Sequence, residues 1–486
     1  MSSSVNISHK LHSNGVLNLP RASPTSKSLT EALLWKDAEK YHCYFTEAGF
    51  HNHLSHHILA AYDLGASPAL LQKIYDEESS YQRPIMLEKT DKEIKITEEN
   101  WSQYLGNEHA YGAFFKFFES RVSTFGALET LEEFIFSSAS NEKGKWMLSR
   151  LMGGALHPFI LIGYALEFGN DALVATGIAM ACVTSPIAPE LFEFGSEKNS
   201  RASGPGLSIL EILSLFQNSP TLKPVMPYAR DKLFGLALLR PTLQPEDGRV
   251  EAIRALCAQF HVDETLGDAE MMAKIEELIW ASVLILFATG KDGRKPRLDF
   301  FLMHLVTSSL FLRCYINALQ NPGSKAKIIK AFLPQLLIIS LVRATDKPRP
   351  PYGAPYKPGK NSIGSPLNDE DYNPWPALIE ASIHAPDSHV LKTMRTLVLA
   401  AREYGDTPVG LVPGASKQSE GTGANANGAP MPKETHEGAM KLDGSIFVRA
   451  AGILMDYMGW TSYGQLARDD WDRSGLGWDD AWNDED

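Results

Sequence analysis

The stretch HNHLSHHILAAYDLGAS, residues 51–67, places His51, His53, His56 and His57 within seven positions at the mouth of an apolar run. Imidazole is the commonest side-chain metal ligand near neutral pH. His53 shares a helical face with His56 at i,i+3 and with His57 at i,i+4. No glutamate follows the first histidine as HExxH requires, so a zincin-type protease is not indicated. A short run of histidines also suits a solvated helix start, so the cluster needs partners elsewhere in the chain.

Candidates are present. His157 lies in GGALHPFILIGYALEF, the most apolar helical stretch. A buried imidazole there must be hydrogen-bonded or ligating. Pro158, next to it, predicts a kink in the helix. His304 lies in the apolar DFFLMHLVTSSLFL, and His389 and Lys392 lie at i,i+3 in APDSHVLKTMRTL. Lys392 stands among Val390, Leu391 and Met394. A buried lysine is costly unless it is neutralised or paired. Addition of CO2 neutralises it and leaves a carbamate, an anionic oxygen donor for a metal. Singly, each of these residues reads as ordinary core or as a solvated first turn. Jointly, deep histidines on separate helices predict one metal centre built from inward-facing side chains of a bundle. Imidazoles suit Fe, Zn, Cu or Ni.

The elements that must position these residues are helical. SLTEALLWKDAEKYHCYF follows a Ser28 cap, and SPALLQKIYDEESSYQ opens with Ser67 and Pro68 in the order expected at a helix start. EHAYGAFFKFFESRVSTFGALETLEEFIFSS reads as one long amphipathic helix, and residues 145–185 as interior. Alternating strand patterns are absent, so the fold class is all-α: one large helical bundle-like domain with the metal site in its core. Residues 1–27 read as a flexible tail, 28–410 as the helical core, and 411–438 as a flexible Gly/Ala/Ser/Asn-rich loop. Residues 439–486 read as a helix and a tail whose Trp471, Trp478 and Trp482 dock on the body. The Pro/Gly-rich segment 347–376 reads as an ordered loop.

The 486 residues carry a formal charge of −12 and no basic run, which argues against a nucleic-acid partner. Four scattered cysteines without a CxxC suit a reducing compartment. The N-terminus has no signal-peptide core, and apolar runs such as IWASVLILFATG read as too short to span a bilayer. A cytoplasmic protein with no membrane partner is the expectation. Neither GxGxxG nor a P-loop is found.

NHLSHHILAAYDLGAS, GGALHPFILIGYALEFG, DFFLMHLVTSSLFL, DSHVLKTMRTL and the Trp-rich GWDDAW, in that order, resemble the questin oxidase-like family from about residue 40 onward. The resemblance implies an oxygenase of fungal polyketide pathways, which belong to secondary metabolism. It would open the central ring of a hydroxylated anthraquinone or perform a related Baeyer–Villiger-like step. It implies non-haem Fe(II) held by His53, His157, His304, His389 and a carboxylated Lys392, with one octahedral position left for O2. His57, one turn beyond His53, is the alternative first ligand. Lys392, His56 and His57 are the catalytic candidates, and His56 shapes the pocket or binds substrate. The aromatic run around Phe114 to Phe118, with Tyr62, Tyr111 and Tyr164, reads as a flat pocket wall or as core. NADPH enters as an external reductant, with a reductase as partner. Two other classes remain open: a zinc hydrolase or lactonase, and a non-catalytic helical scaffold.

Overall fold

The computed structural model describes residues 7–194, 206–225, 227–230, 239–291, 294–343, 373–424, 430–468 and 470–483. Those residues are overwhelmingly helical and fall into two compact units. The first unit comprises residues 1–193, 311–331 and 386–395, and the second 194–310, 332–385 and 396–486.

Eight helices open the first unit: α1 (Thr25–Lys40), α2 (Leu54–Asp63), α3 (Pro68–Ser79), α4 (Tyr111–Phe125), α5 (Ala127–Leu131), α6 (Met147–Met152), α7 (His157–Phe168) and α8 (Asp171–Val183). Local chemistry starts several of them. Ser67 accepts from the Leu70 amide and Pro68 fills the first turn of α3. Asn170 caps α8 through the Leu173 amide. α7 and α8 are apolar on nearly every face and almost wholly buried, as interior helices are. The aromatic helix is not continuous. It breaks at Gly126 between α4 and α5, and a single π-turn follows at Glu132–Phe136. Ser28, expected as a cap, sits inside α1, which begins at Thr25.

From Leu11 onward the N-terminal segment is not a loose tail. The amides of His12 and Ser13 both bond the Phe168 carbonyl at 2.9 Å, and Leu11 is buried. The Val16 amide donates to Glu167 at 2.7 Å and the Asn18 amide to Asp63 at 2.7 Å. Buried carboxylates need donors, and this segment supplies them.

The second unit contains α9 (Ile209–Asn218), α10 (Arg249–Cys257), α11 (Asp268–Phe287), α14 (Trp375–Ile383) and α16 (Ile446–Met458). The unit boundary passes through α12 (Phe300–Ala318), α13 (Pro322–Val342) and α15 (Ser388–Tyr404). Asp299 caps α12 through the Phe301 and Leu302 amides, and Arg343 Nε donates to the same carboxylate at 2.7 Å. α12 is 19 residues long and apolar enough to cross a bilayer by length and composition, contrary to the reading of short apolar runs. Its apolar window is 89% buried inside the protein, so core burial accounts for that composition.

The glycine- and alanine-rich segment expected to stay unordered carries a two-stranded antiparallel ribbon, β1 (Ser416–Ala424) and β2 (Pro430–Glu434). Backbone ladder bonds form it without large apolar side chains. Trp471, Trp478 and Trp482 are buried, and the Trp482 indole donates to the Leu476 carbonyl at 2.8 Å. Most of the segment 347–376 lies outside the described residues.

Candidate metal centre

Three ligand-bearing helices meet in the first unit. His53 is the residue before α2, held by its neighbours. Asn52 Oδ1 caps the Leu54 amide at 2.8 Å, and Asn52 Nδ2 and Ser55 Oγ donate to the two oxygens of Asp37 on α1, at 2.8 and 2.5 Å. Burial pushes the Asp37 carboxyl up to about 6, against the pull of those donors.

His157 is the first residue of α7, not a mid-helix residue beside a kink. Pro158 occupies the first turn, where no amide donor is needed. The chain enters α7 through Ala155 (φ 51°) and Leu156 (φ 67°), both left-handed without being glycine. Such backbone is uncommon and costs roughly 1–3 kcal/mol per residue, so surrounding packing must hold it. The preceding Gly154 has φ +54°, and a Cβ there would lie 2.5 Å from the His51 ring. That ring stacks on His157 at 4.3 Å with 3° between planes. Gly154→Ala is therefore expected to lower stability by about 1–3 kcal/mol and to loosen His157. Denaturant unfolding with metal content measured on the same sample checks this; unchanged values for both would refute it.

His389 follows Asp387 at the start of α15, and Asp387 Oδ1 accepts from both the backbone amide and Nδ1 of His389 at 2.7 Å. Burial alone would raise the Asp387 carboxyl; the charge and hydrogen bonds of His389 and the charge of Lys392 hold it well below the carboxylate range. His304 on α12 bonds the Phe300 carbonyl through Nδ1 at 2.8 Å. Within the first unit, one nitrogen of each of His53, His157 and His389 lies within 4.8 Å of the others.

The donor chemistry fits a transition-metal ion. His157 Nδ1 is tied to the Gly154 carbonyl at 2.6 Å, so three of the four rings have Nδ1 committed to an oxygen acceptor. That assigns the proton to Nδ1 and turns Nε2 into the atom that could ligate, the usual outer arrangement of metal histidines. Burial holds His53 well below its ordinary value, so it is neutral at pH 7. His53 Nε2 and His157 Nε2 lie 2.9 Å apart. Adjacent ligands at about 2.1 Å from a six-coordinate ion would be roughly 3.0 Å apart.

Lys392, one turn along α15, is 2% exposed, and burial pulls its ammonium down to about 7 while Asp387 and Glu78 oppose the shift. Its charge bears on both His53 and His56. His56 lies outside the group formed by His53, His157 and His389. It is fully buried, stacks 5.6 Å from Tyr164, and neither ring nitrogen has a hydrogen-bond partner among the described residues. His57 also lies outside it: its Nδ1 turns to Glu78 at 2.9 Å, and Glu78 in turn accepts from the Tyr81 hydroxyl. Phe114, Phe117 and Phe118 pack among themselves and with Phe134, while Tyr111 meets His42 at a tilt and Tyr62 lies beneath Arg21. Asp37, Glu78 and Asp387 were not singled out as site residues in the sequence; only Asp387, two before His389, carried a local signal.

The sequence model of one family, described as questin oxidase-like, matches residues 50–397. A Baeyer–Villiger monooxygenase of Cryptosporiopsis sp. is 31% identical over 315 residues, 62% of this chain and 66% of that protein. An oxidoreductase, AflY, of Aspergillus parasiticus is 28% identical over 398 residues, 79% of this chain and 74% of the relative. A questin oxidase of Aspergillus fumigatus is 28% identical over 326 residues, 65% and 71% of the two chains. The matches thus span about two thirds to three quarters of these relatives.

Proposed function

The chain belongs to the questin oxidase-like family, and from that premise we propose that it is an oxidoreductase of aromatic polyketide metabolism: a non-haem iron oxygenase that uses O2 to open a ring of a hydroxylated anthraquinone or a related aromatic polyketide. The observation that carries this reading is the convergence of three imidazole nitrogens of the first unit, on His53, His157 and His389, within 4.8 Å. The relatives' names, questin oxidase and Baeyer–Villiger monooxygenase, favour oxygen chemistry over hydrolysis.

His53, His157, His304 and His389 would hold the ion through Nε2. Lys392 would supply the anionic donor. Its amine, drawn down to about 7, is substantially neutral at physiological pH and can add CO2. A nitrogen–carbon bond forms, one proton leaves to solvent, and a carbamate oxygen remains. Fe(II), when bound, supplies the one-electron chemistry through which O2 reacts with a closed-shell ring. His56 offers its unoccupied ring nitrogens to a phenolic or quinone oxygen of the substrate, with Tyr164 supporting its face. Glu78 fixes the His57 tautomer with its proton on Nδ1. If one oxygen atom ends in water, two electrons must enter, and NADPH, directly or through a reductase partner, is the proposed source. The cytoplasm is the proposed compartment.

Elemental analysis of anaerobically purified protein, followed by anthraquinone turnover under O2, tests the reading. Iron at one per chain with oxygen-dependent ring opening is the expected result. Two zincs per chain with hydrolytic activity would transfer the assignment to a hydrolase, and absence of bound metal would refute it.

A further inference from the structure

Asp63, Glu167 and Arg395 form a buried ion triad in the first unit. Arg395 Nε donates to Asp63 Oδ2 at 2.9 Å, and its terminal nitrogen bridges Asp63 and Glu167. All three side chains are at most 1% exposed. Each comes from a helix that carries a candidate ligand or directly follows one. Asp63 ends α2, ten residues after His53; Glu167 lies near the end of α7, ten residues after His157; Arg395 lies on α15, three residues after Lys392. Ten residues of α-helix rise about 15 Å, so the triad sits at the far ends of α2 and α7 from their histidines.

Two carboxyl groups face one guanidinium, both near helix C-termini, where the dipole disfavours anions, and burial with the Asp63 charge pushes Glu167 up to about 7 against the pull of Arg395. The N-terminal segment adds donors. Val16 donates its amide to Glu167, and Leu17 and Asn18 donate theirs to the two oxygens of Asp63. Gly15 passes so close that a Cβ would lie 1.9 Å from Asp63 Oδ1 and 2.8 Å from the Phe168 ring.

We propose that this clamp, completed by the N-terminal segment, is the positioning device of the metal centre: it locks the rotation and slide of α2, α7 and α15, so that His53, His157 and Lys392 present their donors at one spacing. The inference rests on the metal-centre reading above. Without the segment's amides the two carboxylates repel, the ends of α2 and α7 part, and the histidines ten residues away lose register.

Gly15→Ala and Glu167→Gln test this in the full-length, metal-stripped chain, titrated with Co(II) and followed by visible absorption. Arg395→Ala is avoided because two buried carboxylates without a cation threaten folding itself. Phe118→Ala, a core change away from clamp and ligands, reports the effect of lost stability alone. The expected result is Co(II) affinity lower by about tenfold or more in both clamp variants, with a shifted absorption envelope, as when outer-shell partners of a metal site are removed. Phe118→Ala is expected to keep the wild-type envelope. If the clamp variants lower affinity no more than Phe118→Ala does and leave the envelope unchanged, the clamp is only structural and the proposal falls alone. If the wild-type chain takes up no Co(II), the metal-centre reading falls with it.

Discussion

Lys392→Ala is expected to lose its iron and, with it, oxygen-dependent turnover, by more than the roughly 10–100-fold that outer-shell partners contribute at metal sites. The argument begins with burial. Lys392 is 2% exposed, with Val390, Leu391 and Met394 buried beside it, and an ammonium cannot ligate a metal. Its amine is drawn down to about 7, which makes the uncharged, CO2-reactive form accessible at neutral pH. Among imidazole donors, a carbamate would be the single anionic donor, so its removal strips both a ligand and the charge balance of the site. Alanine leaves a gap that a small carboxylate can enter. Partial recovery of iron binding in Lys392→Ala with added acetate or propionate is therefore expected. Intact protein should show a mass gain of one CO2 that acid removes. Wild-type iron content in Lys392→Ala would eliminate the lysine as a ligand.

Much of this centre was legible because its chemistry is carried by residue types that helical interiors avoid. His157, His304 and Lys392 sit in runs of Leu, Ile, Phe and Val, and a titratable group there asks for a partner. Periodicity located the helices bearing them. It could not locate the turn at Gly153–Leu156, because Ala155 and Leu156 adopt left-handed backbone that neither residue type signals. Hence Pro158 looked like a kink when it marks a helix start. The different surroundings of His53 and His57 were also hidden: the two share a helical face, and Glu78, which accepts from His57 Nδ1, is 21 residues away.

The N-terminal segment was misread for a related reason. Its anchors are backbone amides meeting Asp63 and Glu167, carboxylates 45 and 151 residues distant. Backbone donors leave no trace in residue type, and a polar, small-residue sequence then looks like a tail. Asp37 was invisible in the same way, as one acidic residue of an amphipathic helix until Asn52 and Ser55 fold onto it. In the glycine- and alanine-rich ribbon the ladder is likewise a backbone property, which composition reports poorly.

Asp387→Asn is expected to weaken metal binding by about 10–100-fold, beyond the loss of unfolding free energy that follows from removing a carboxylate held well below its ordinary range. The Nδ1 partners of His157 and His304 are the backbone carbonyls of Gly154 and Phe300, which side-chain substitution does not remove. Asp387 is thus the one acceptor of the three that mutation can alter. Its carboxylate fixes the His389 proton on Nδ1 and makes Nε2 more basic, the effect an aspartate has on a metal-bound imidazole. An asparagine can accept the same bonds through its carbonyl, but without charge. If its amide turns toward the ring, His389 must accept at Nδ1 and carry its proton on Nε2, which closes the ligand. The helix cap survives in the first orientation, so fold and metal affinity should separate. Parallel Co(II) titration and denaturant unfolding would read that separation. Equal affinities for wild type and Asp387→Asn would mean that His389 does not ligate through Nε2, and the donor set would have to be redrawn without it.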